Sequence, residues 1–254
     1  MTATGFVDGA VAARARAWRH GAHAAVCDVR QPWAYGTIVR ATRYPSWFDF
    51  NVVRVEEDPA MSVDALVAIA DTALAGLAHR RVDFELVTAA EPLRRGFEAQ
   101  GWQAMRLLWM RYQSAAPPGP GVAVQEVAYD AVHHLRVAWL REDFPGQDPA
   151  VLQAAREVAL RRHAQVLAVL DRGAPVAFAQ LECDGDAAEI SRIYVDVEHR
   201  GGGLGTAITR AAILAAGDVK DLWISADDED RPKNLYARLG FRPAWTVMEF
   251  LRLL

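Results

Sequence analysis

Ala188-Glu-Ile-Ser-Arg-Ile-Tyr-Val-Asp-Val-Glu-His-Arg-Gly-Gly-Gly-Leu-Gly-Thr206 is the stretch on which the fold turns. Ile190 to Val197 reads as a strand, because β-branched and aromatic residues are broken only by single polar ones. Glu198 and His199 end the apolar pattern, and Gly201, Gly202 and Gly203 allow a tight turn with close backbone approach. From Leu204 the apolar residues fall at 204, 207, 208, 211 and 215, one face of a helix, and Gly217 stands where a left-handed cap would end it. The expected unit is strand, glycine loop, helix.

Such a loop presents backbone N–H groups at a helix N-terminus, where the macrodipole favours negative charge. Arg200 at its entrance adds a permanent cation with a forked donor. An ordinary turn does not need four glycines, each of which loses backbone entropy on folding, so the segment reads as a phosphate cradle. A P-loop would place Lys and then Ser or Thr after the last glycine, whereas Gly205 is followed by Thr206 and Ala207. A dinucleotide fingerprint begun at Gly201 or Gly203 lacks its third glycine, although Asp221 lies about 20 residues on, where a ribose-binding acid belongs.

The spacing Arg200-x-x-Gly203-x-Gly205 resembles the Arg/Gln-x-x-Gly-x-Gly/Ala signature of the GNAT superfamily of acyl-CoA N-acyltransferases. Tyr194-Val195 is similar to that family's strand ending, and Asn234-Leu-Tyr-Ala-Arg-Leu-Gly-Phe241 resembles its second motif. The match spans roughly residues 122–254, with both motifs in order. The resemblance implies a mixed α/β fold with a splayed central sheet flanked by helices. It also implies acetyl-CoA as cosubstrate, with its pyrophosphate on the loop residues Arg200, Gly201, Gly202, Gly203, Leu204, Gly205 and Thr206. Backbone groups of Tyr194, Val195 and Val197 would bind the thioester oxygen and pantetheine.

Transfer to an amine also needs proton management. Tyr236, protonated at neutral pH with an intrinsic pKa of ~10, is the expected donor to the departing thiolate; the bland alternative is a helix residue packing on the sheet. Glu189 holds the position of the general base in the histone-acetylating branch of the family, and equally suits a solvated hairpin residue. An Asn that often precedes the Tyr by seven residues is Glu229 here, with Asn234 as a substitute pantetheine contact. The acidic run 227–230 reads as a solvated loop or as an attractor of a cationic acceptor.

The 254 residues suffice for one large domain or two small ones. A net charge of −4 gives no general drive towards nucleic acid or anionic membrane. Cys27 and Cys183 have no metal or redox spacing, no apolar run approaches ~18 residues, and the N-terminal region lacks a secretory core. These features lead us to expect a cytoplasmic protein, monomeric or homodimeric, with no bound metal; the pairs His20/His23 and His133/His134 lack partners at ligand spacing.

In the first half, helices are expected over 6–19, 62–78 and 92–100, and strands over 49–55, 82–88 and 102–112. Gly101-Trp102 aligns with Gly240-Phe241, a faint internal repeat that suggests two such domains in tandem, 1–113 and 122–254. The proline- and glycine-rich 114–121 would link them. The first half lacks the glycine signature, carrying Glu57-Asp-Pro-Ala-Met-Ser62 in its place and Phe97 where the second has Tyr236. It is read as a degenerate copy unable to hold coenzyme A. Its aromatics, Trp33, Tyr35, Tyr44, Trp47, Phe48 and Phe50, would form core, an interdomain seam or the wall of an acceptor pocket. The expected reaction is acetyl transfer to a primary amine of a small molecule. A protein or peptide N-acetyltransferase, a non-catalytic acyl-CoA sensor and a nicotinamide oxidoreductase are the other readings the pattern leaves open.

Overall fold

The computed structural model describes residues 9–114 and 121–254. The expected linker over 114–121 thus lies for the most part outside the described residues, as does the start of the helix expected over 6–19. The chain divides into two compact units: Met1–Trp109 with Ala226–Asp230 and Ala244–Leu254, and Met110–Ser225 with Arg231–Pro243.

In chain order the first part provides α1 (Gly9–Val26), β1 (Val29–Trp33), β2 (Gly36–Arg40), β3 (Asn51–Val55), α2 (Val63–Ala73), β4 (His79–Phe84), α3 (Val87–Ala90), α4 (Arg94–Ala99) and β5 (Gln103–Tyr112). The β1–β2 hairpin was not expected. Its outer strand is largely exposed and carries Pro32, which suits an edge and hides the alternation that marks a strand. The strand expected over 82–88 begins and ends earlier, because Val87 and Thr88 turn into α3. The helix expected to reach 78 stops at Ala73, and Gly76 (φ +83°) turns the chain away.

In the first unit β1–β2 and β2–β3 are antiparallel, and β3–β4 are parallel with α2 between them. β11 (Phe241–Leu253) runs antiparallel to β4, with Met248 opposite Phe84 and Phe250 opposite Val82. Period-2 alternation gives this sheet two different faces. Val53, Val55, Val82, Phe84, Met248 and Phe250 join Leu66 and Ala70 of α2 and Phe97 of α4 in an apolar core. The opposite face presents Arg54, Arg81, Asp83 and Glu249 to α1, whose buried row includes Arg19 and His23. Arg81 donates to Asp83 at 2.9 Å and Asp49 at 2.7 Å and pairs with Glu249 at 2.6 Å, while Arg19 binds Asp83 and, at 3.2 Å, Glu249. The network ties α1 to this face of the sheet, and the hydration its buried ions lose offsets much of their attraction. Tyr44, Trp47, Phe48 and Phe50 are buried, with Trp47 edge-on to Phe50 at 4.6 Å.

The second part provides β6 (Gln125–Val127), α5 (His133–Asp143), α6 (Ala150–Arg161), β7 (Gln165–Asp171), β8 (Ala174–Asp184), β9 (Ala187–Val195), α7 (Leu204–Ala216), β10 (Asp221–Asp227) and α8 (Pro232–Arg238), and ends in β11. β6 to β9 pair antiparallel in sequence, and β9–β10 are parallel with α7 between them. The β7–β8 turn lies at Arg172 (φ +49°) and Gly173 (φ +86°), as the sequence suggests. Tyr129, Val132, Leu135, Val166, Phe178 and Tyr194 form the core beneath α5 and α6. From β1 and from β7 onwards the two parts therefore follow the same order: three strands, helix, parallel strand, short helical segment, strand. Gly101 (φ +78°) and Gly240 (φ +104°) make the same turn before the last strand of each.

Among the described residues no helix is long and apolar enough to cross a membrane. Cys27 is buried, Cys183 is exposed, and both are free.

Candidate active site

The organising stretch folds as β9, a short 3-10 turn at Val197–His199, an extended Arg200 and then α7. Gly201 (φ +85°) and Gly203 (φ +81°) both take left-handed conformations, which side chains resist, and a Cβ at either would meet nothing within 4 Å among the described residues. The loop's glycines thus serve backbone conformation and leave an open surface. The first backbone bond of α7 runs from Ala207 N–H to the Gly203 carbonyl at 3.0 Å, so the N–H groups of Leu204, Gly205 and Thr206 have no acceptor within the helix. Gly203 is the N-cap and has no side chain to cap them. α2 is built the other way: Ser62 caps it, its hydroxyl accepting from Ala65 N–H at 3.3 Å. One helix N-terminus is satisfied from within, whereas the other is open to an anion from outside.

β9 is irregular where it approaches this loop. Phe178 pairs with Tyr194 and Gln180 with Ser191, so Arg192 and Ile193 together oppose Ala179 in a bulge, with Arg192 at φ +51°. Pairing with β10 runs from Ala187 opposite Asp221 to Ile190 opposite Ile224, while β9 itself continues to Val195. Beyond Ile190 the two parallel strands therefore separate. Asp196 N–H bonds the Val176 carbonyl at 2.9 Å; by ladder alternation Tyr194 turns its own N–H to β8, and Val195 turns its N–H and carbonyl to the edge that β10 has left. Val197, 65% exposed, lies in the turn beyond.

Arg200 does not reach into the loop. Its Nε donates to the Val195 carbonyl at 3.0 Å, and Nη1 and Nη2 grip the two carboxylate oxygens of Glu142 on α5 at 2.5 and 2.7 Å. Tyr194 adds its hydroxyl, which donates to Glu142 at 3.0 Å, and its ring lies 5.4 Å from the guanidinium. Bonds from Arg200 hold the Glu142 carboxyl below the usual carboxylate range, and the same contact raises Arg200. The Tyr194 phenol is raised by burial and by Glu142. Sequence reading passed over Glu142, since an acid near a helix end 58 residues before its partner carries no local signal. α5 is seated here by buried Arg136, which donates to Gln180 at 3.1 Å and lies 3.9 Å from the Tyr129 ring, and by Trp139 beside Arg192.

Tyr236 on α8 is buried, its ring edge-on to Phe241 at 6.3 Å. α8 runs beside the start of α7, because a Cβ on Gly205 would lie 3.6 Å from Leu235 Cδ1. Asn234 is exposed in the first turn of α8. Glu189 is half-buried, one rung before the last β9–β10 pair, opposite Trp223 on β10 and Glu182 on β8. The structure thus brings Val195, Arg200, the glycine loop and α8 together, with Glu189 farther back along β9.

The acidic run is not simply solvated. Within the first unit Glu229 pairs with Arg94 at 2.6 Å and Asp228 with Arg106 at 2.7 Å. A cavity of about 880 Å³ lies between α5 and α6, lined by Tyr129, His133, Leu140, Phe144, Leu152 and Arg156. Its α5 residues lie on the flank opposite Glu142, so it is not the space before the loop.

A strand that parts from its parallel neighbour and feeds an uncapped glycine-rich helix start is the geometry the motif implied. A family model for an acetyltransferase (GNAT) domain matches residues 162–243. Those residues are similar to a GNAT acetyltransferase domain. An uncharacterized N-acetyltransferase of Methanocaldococcus jannaschii is 33% identical over 92 residues, 32% of this chain and 40% of that protein. The chain therefore matches about two fifths of the length of that curated relative. A GCN5-related N-acetyltransferase from Kribbella flavida superposes with a TM-score of 0.60 at 18% identity, over 98% of this chain and 96% of its own. A functionally unknown conserved protein from Staphylococcus epidermidis does so with a TM-score of 0.67 at 15% identity, over 88% and 92%. At such identities the likeness concerns the fold. It extends well beyond residues 162–243, over 98% of this chain in the first case and 88% in the second.

Proposed function

We propose that the chain moves the acetyl group of acetyl-CoA to a primary amine of a small molecule, by direct attack within its second unit. The observation that carries this reading is the open N-terminus of α7, where Gly201 and Gly203 are left-handed and Leu204, Gly205 and Thr206 lack helical acceptors. These residues suit a diphosphate: the helix-start donors face one end, the dipole has the right sign, and among the described residues nothing lies within 4 Å of a Cβ placed at Gly201 or Gly203.

When bound, acetyl-CoA would supply an activated acyl group and a thiolate leaving group. Val195 N–H, on the edge that β10 leaves, is the backbone donor for that substrate's thioester arm, with Val197 following it. A donor preset at a developing oxyanion is worth about 3–4 kcal/mol in comparable sites. Tyr236 would give the leaving sulfur its proton, and Glu189 would accept a proton from the amine through water. Asn234, exposed on α8, is the proposed pantetheine contact. The first unit is a GNAT-like partner domain that lost its cofactor site, a reading supported by the shared element order and by the internal cap on α2.

The test is thiol release from acetyl-CoA by the purified chain with a panel of small amines and of peptides bearing free N-termini. Release with small amines is expected. Release only with peptides would move the acceptor to the protein class, and binding without release would make the chain a sensor.

A further inference from the structure

Glu142 takes no part in the motif, yet it is the residue that holds the loop's one cation. Three donors converge on its carboxylate: both terminal nitrogens of Arg200, at 2.5 and 2.7 Å, and the Tyr194 hydroxyl at 3.0 Å. The third nitrogen of Arg200 is spent on the Val195 carbonyl, on the edge we assign to the thioester arm. Arg200 is thus turned back along β9 instead of over Gly201–Gly203. The pair is also open to water, with side chains 43% and 40% exposed, so it is a weak bond of the kind that salt screens and a stronger anion displaces.

We infer that Glu142 is a positioning residue that sets the affinity of the glycine loop for a diphosphate, through an exchange of counter-ions at Arg200. In the unliganded chain Arg200 is neutralised by α5. A diphosphate at the N-terminus of α7 carries more charge than a carboxylate and draws the guanidinium away from Glu142. The same movement frees the Val195 carbonyl and leaves Glu142 with only the Tyr194 hydroxyl. Loading of the loop and loosening of the end of α5 become one event. This inference rests on the cofactor reading above.

The test is calorimetric binding of coenzyme A, and separately of inorganic pyrophosphate, to the full chain at low and high salt. Glu142→Gln removes the competing charge and is expected to tighten coenzyme A binding about two- to fivefold, the range set by a surface ion pair. The gain should fade at about 0.5 M salt. It should also vanish in an Arg200→Gln background, which a merely structural role for Glu142 would not require. Glu142→Ala, at an exposed helix position, is a second route to the same shift. Unchanged or weaker binding by both Glu142 variants, with wild type binding normally, overturns the exchange. If wild type, Glu142→Gln and Glu142→Ala all fail to bind coenzyme A at millimolar concentration, the cofactor reading itself falls and takes the exchange with it.

Discussion

Phe97 and Tyr236 hold the same station in the two halves of the chain. Each lies on the short helix before the last strand, five residues ahead of an aromatic it meets edge-on: Trp102 at 5.2 Å for Phe97, Phe241 at 6.3 Å for Tyr236. In each case a left-handed glycine, Gly101 or Gly240, stands just before that partner. The packing needs a ring, and in the first half a ring without a hydroxyl serves it. Tyr236→Phe should therefore leave the fold intact, with circular dichroism and Tm close to wild type, and lower kcat about 100-fold with little change in KM for acetyl-CoA. An unchanged kcat would remove Tyr236 as the proton donor.

The glycines of the loop should respond unequally. Gly203 is left-handed at φ +81°, where a side chain costs about 1–2 kcal/mol, so Gly203→Ala should lower Tm and weaken coenzyme A binding. Gly205 lies within α7 with ordinary φ, and its added methyl would meet Leu235 at 3.6 Å and Val195 at 3.9 Å, normal contact distances. Gly205→Ala should stabilise the chain by up to about 1 kcal/mol and bind coenzyme A as wild type does. Equal loss in both variants would contradict this division.

Phe97 is fully buried and stacks on Phe250 at 4.1 Å. Phe97→Ala should cost about 3–5 kcal/mol, seen as a lower midpoint in urea unfolding. A cost under about 1 kcal/mol would mean that the surrounding core closes over the gap.

Glu249 gives the first unit a pH dependence of unusual sign. Burial raises its pKa from 4.5 to about 7; Arg81 opposes the rise and Asp83 adds to it. A group whose pKa is higher folded than unfolded stabilises the fold at low pH, and that contribution is lost as pH climbs through the folded value. Between about pH 4.5 and 7, wild type should lose stability relative to Glu249→Gln, which cannot ionise. Thermal melts of both proteins across that range measure the difference, and parallel curves would refute it.

The reach of sequence reading here follows from where the causes lie. Strand, loop and helix at 188–217 were legible because Gly201 and Gly203 are required by backbone conformation, which is a local property. The start of the helix expected over 62–78 was legible for the same reason, since a serine there caps it. Glu142 was not, since its role arises from chain segments meeting in space. Nor was the bulge at Arg192, where an arginine in a left-handed conformation has no local excuse. Gly217 was expected to close α7 as a left-handed cap; it does cap the helix, its N–H bonding the Leu214 carbonyl at 3.2 Å, but with φ +63° and ψ −148° it lies outside the left-handed helical region.

The partner of β4 was equally hidden, because Met248 and Phe250 can choose a neighbour only after the whole chain exists. This has a consequence for synthesis. Phe84 and Phe97, made early, must wait for Phe250, more than 150 residues later, before their shared core is complete. Nascent chains ordinarily finish domains from the front. Here the sheet edge of β4 is covered only by β11, so a ribosome-bound intermediate would hold that apolar edge open until Phe250 emerges, and a stop codon ahead of β11 would damage the core around Phe84 as well as the strand it removes.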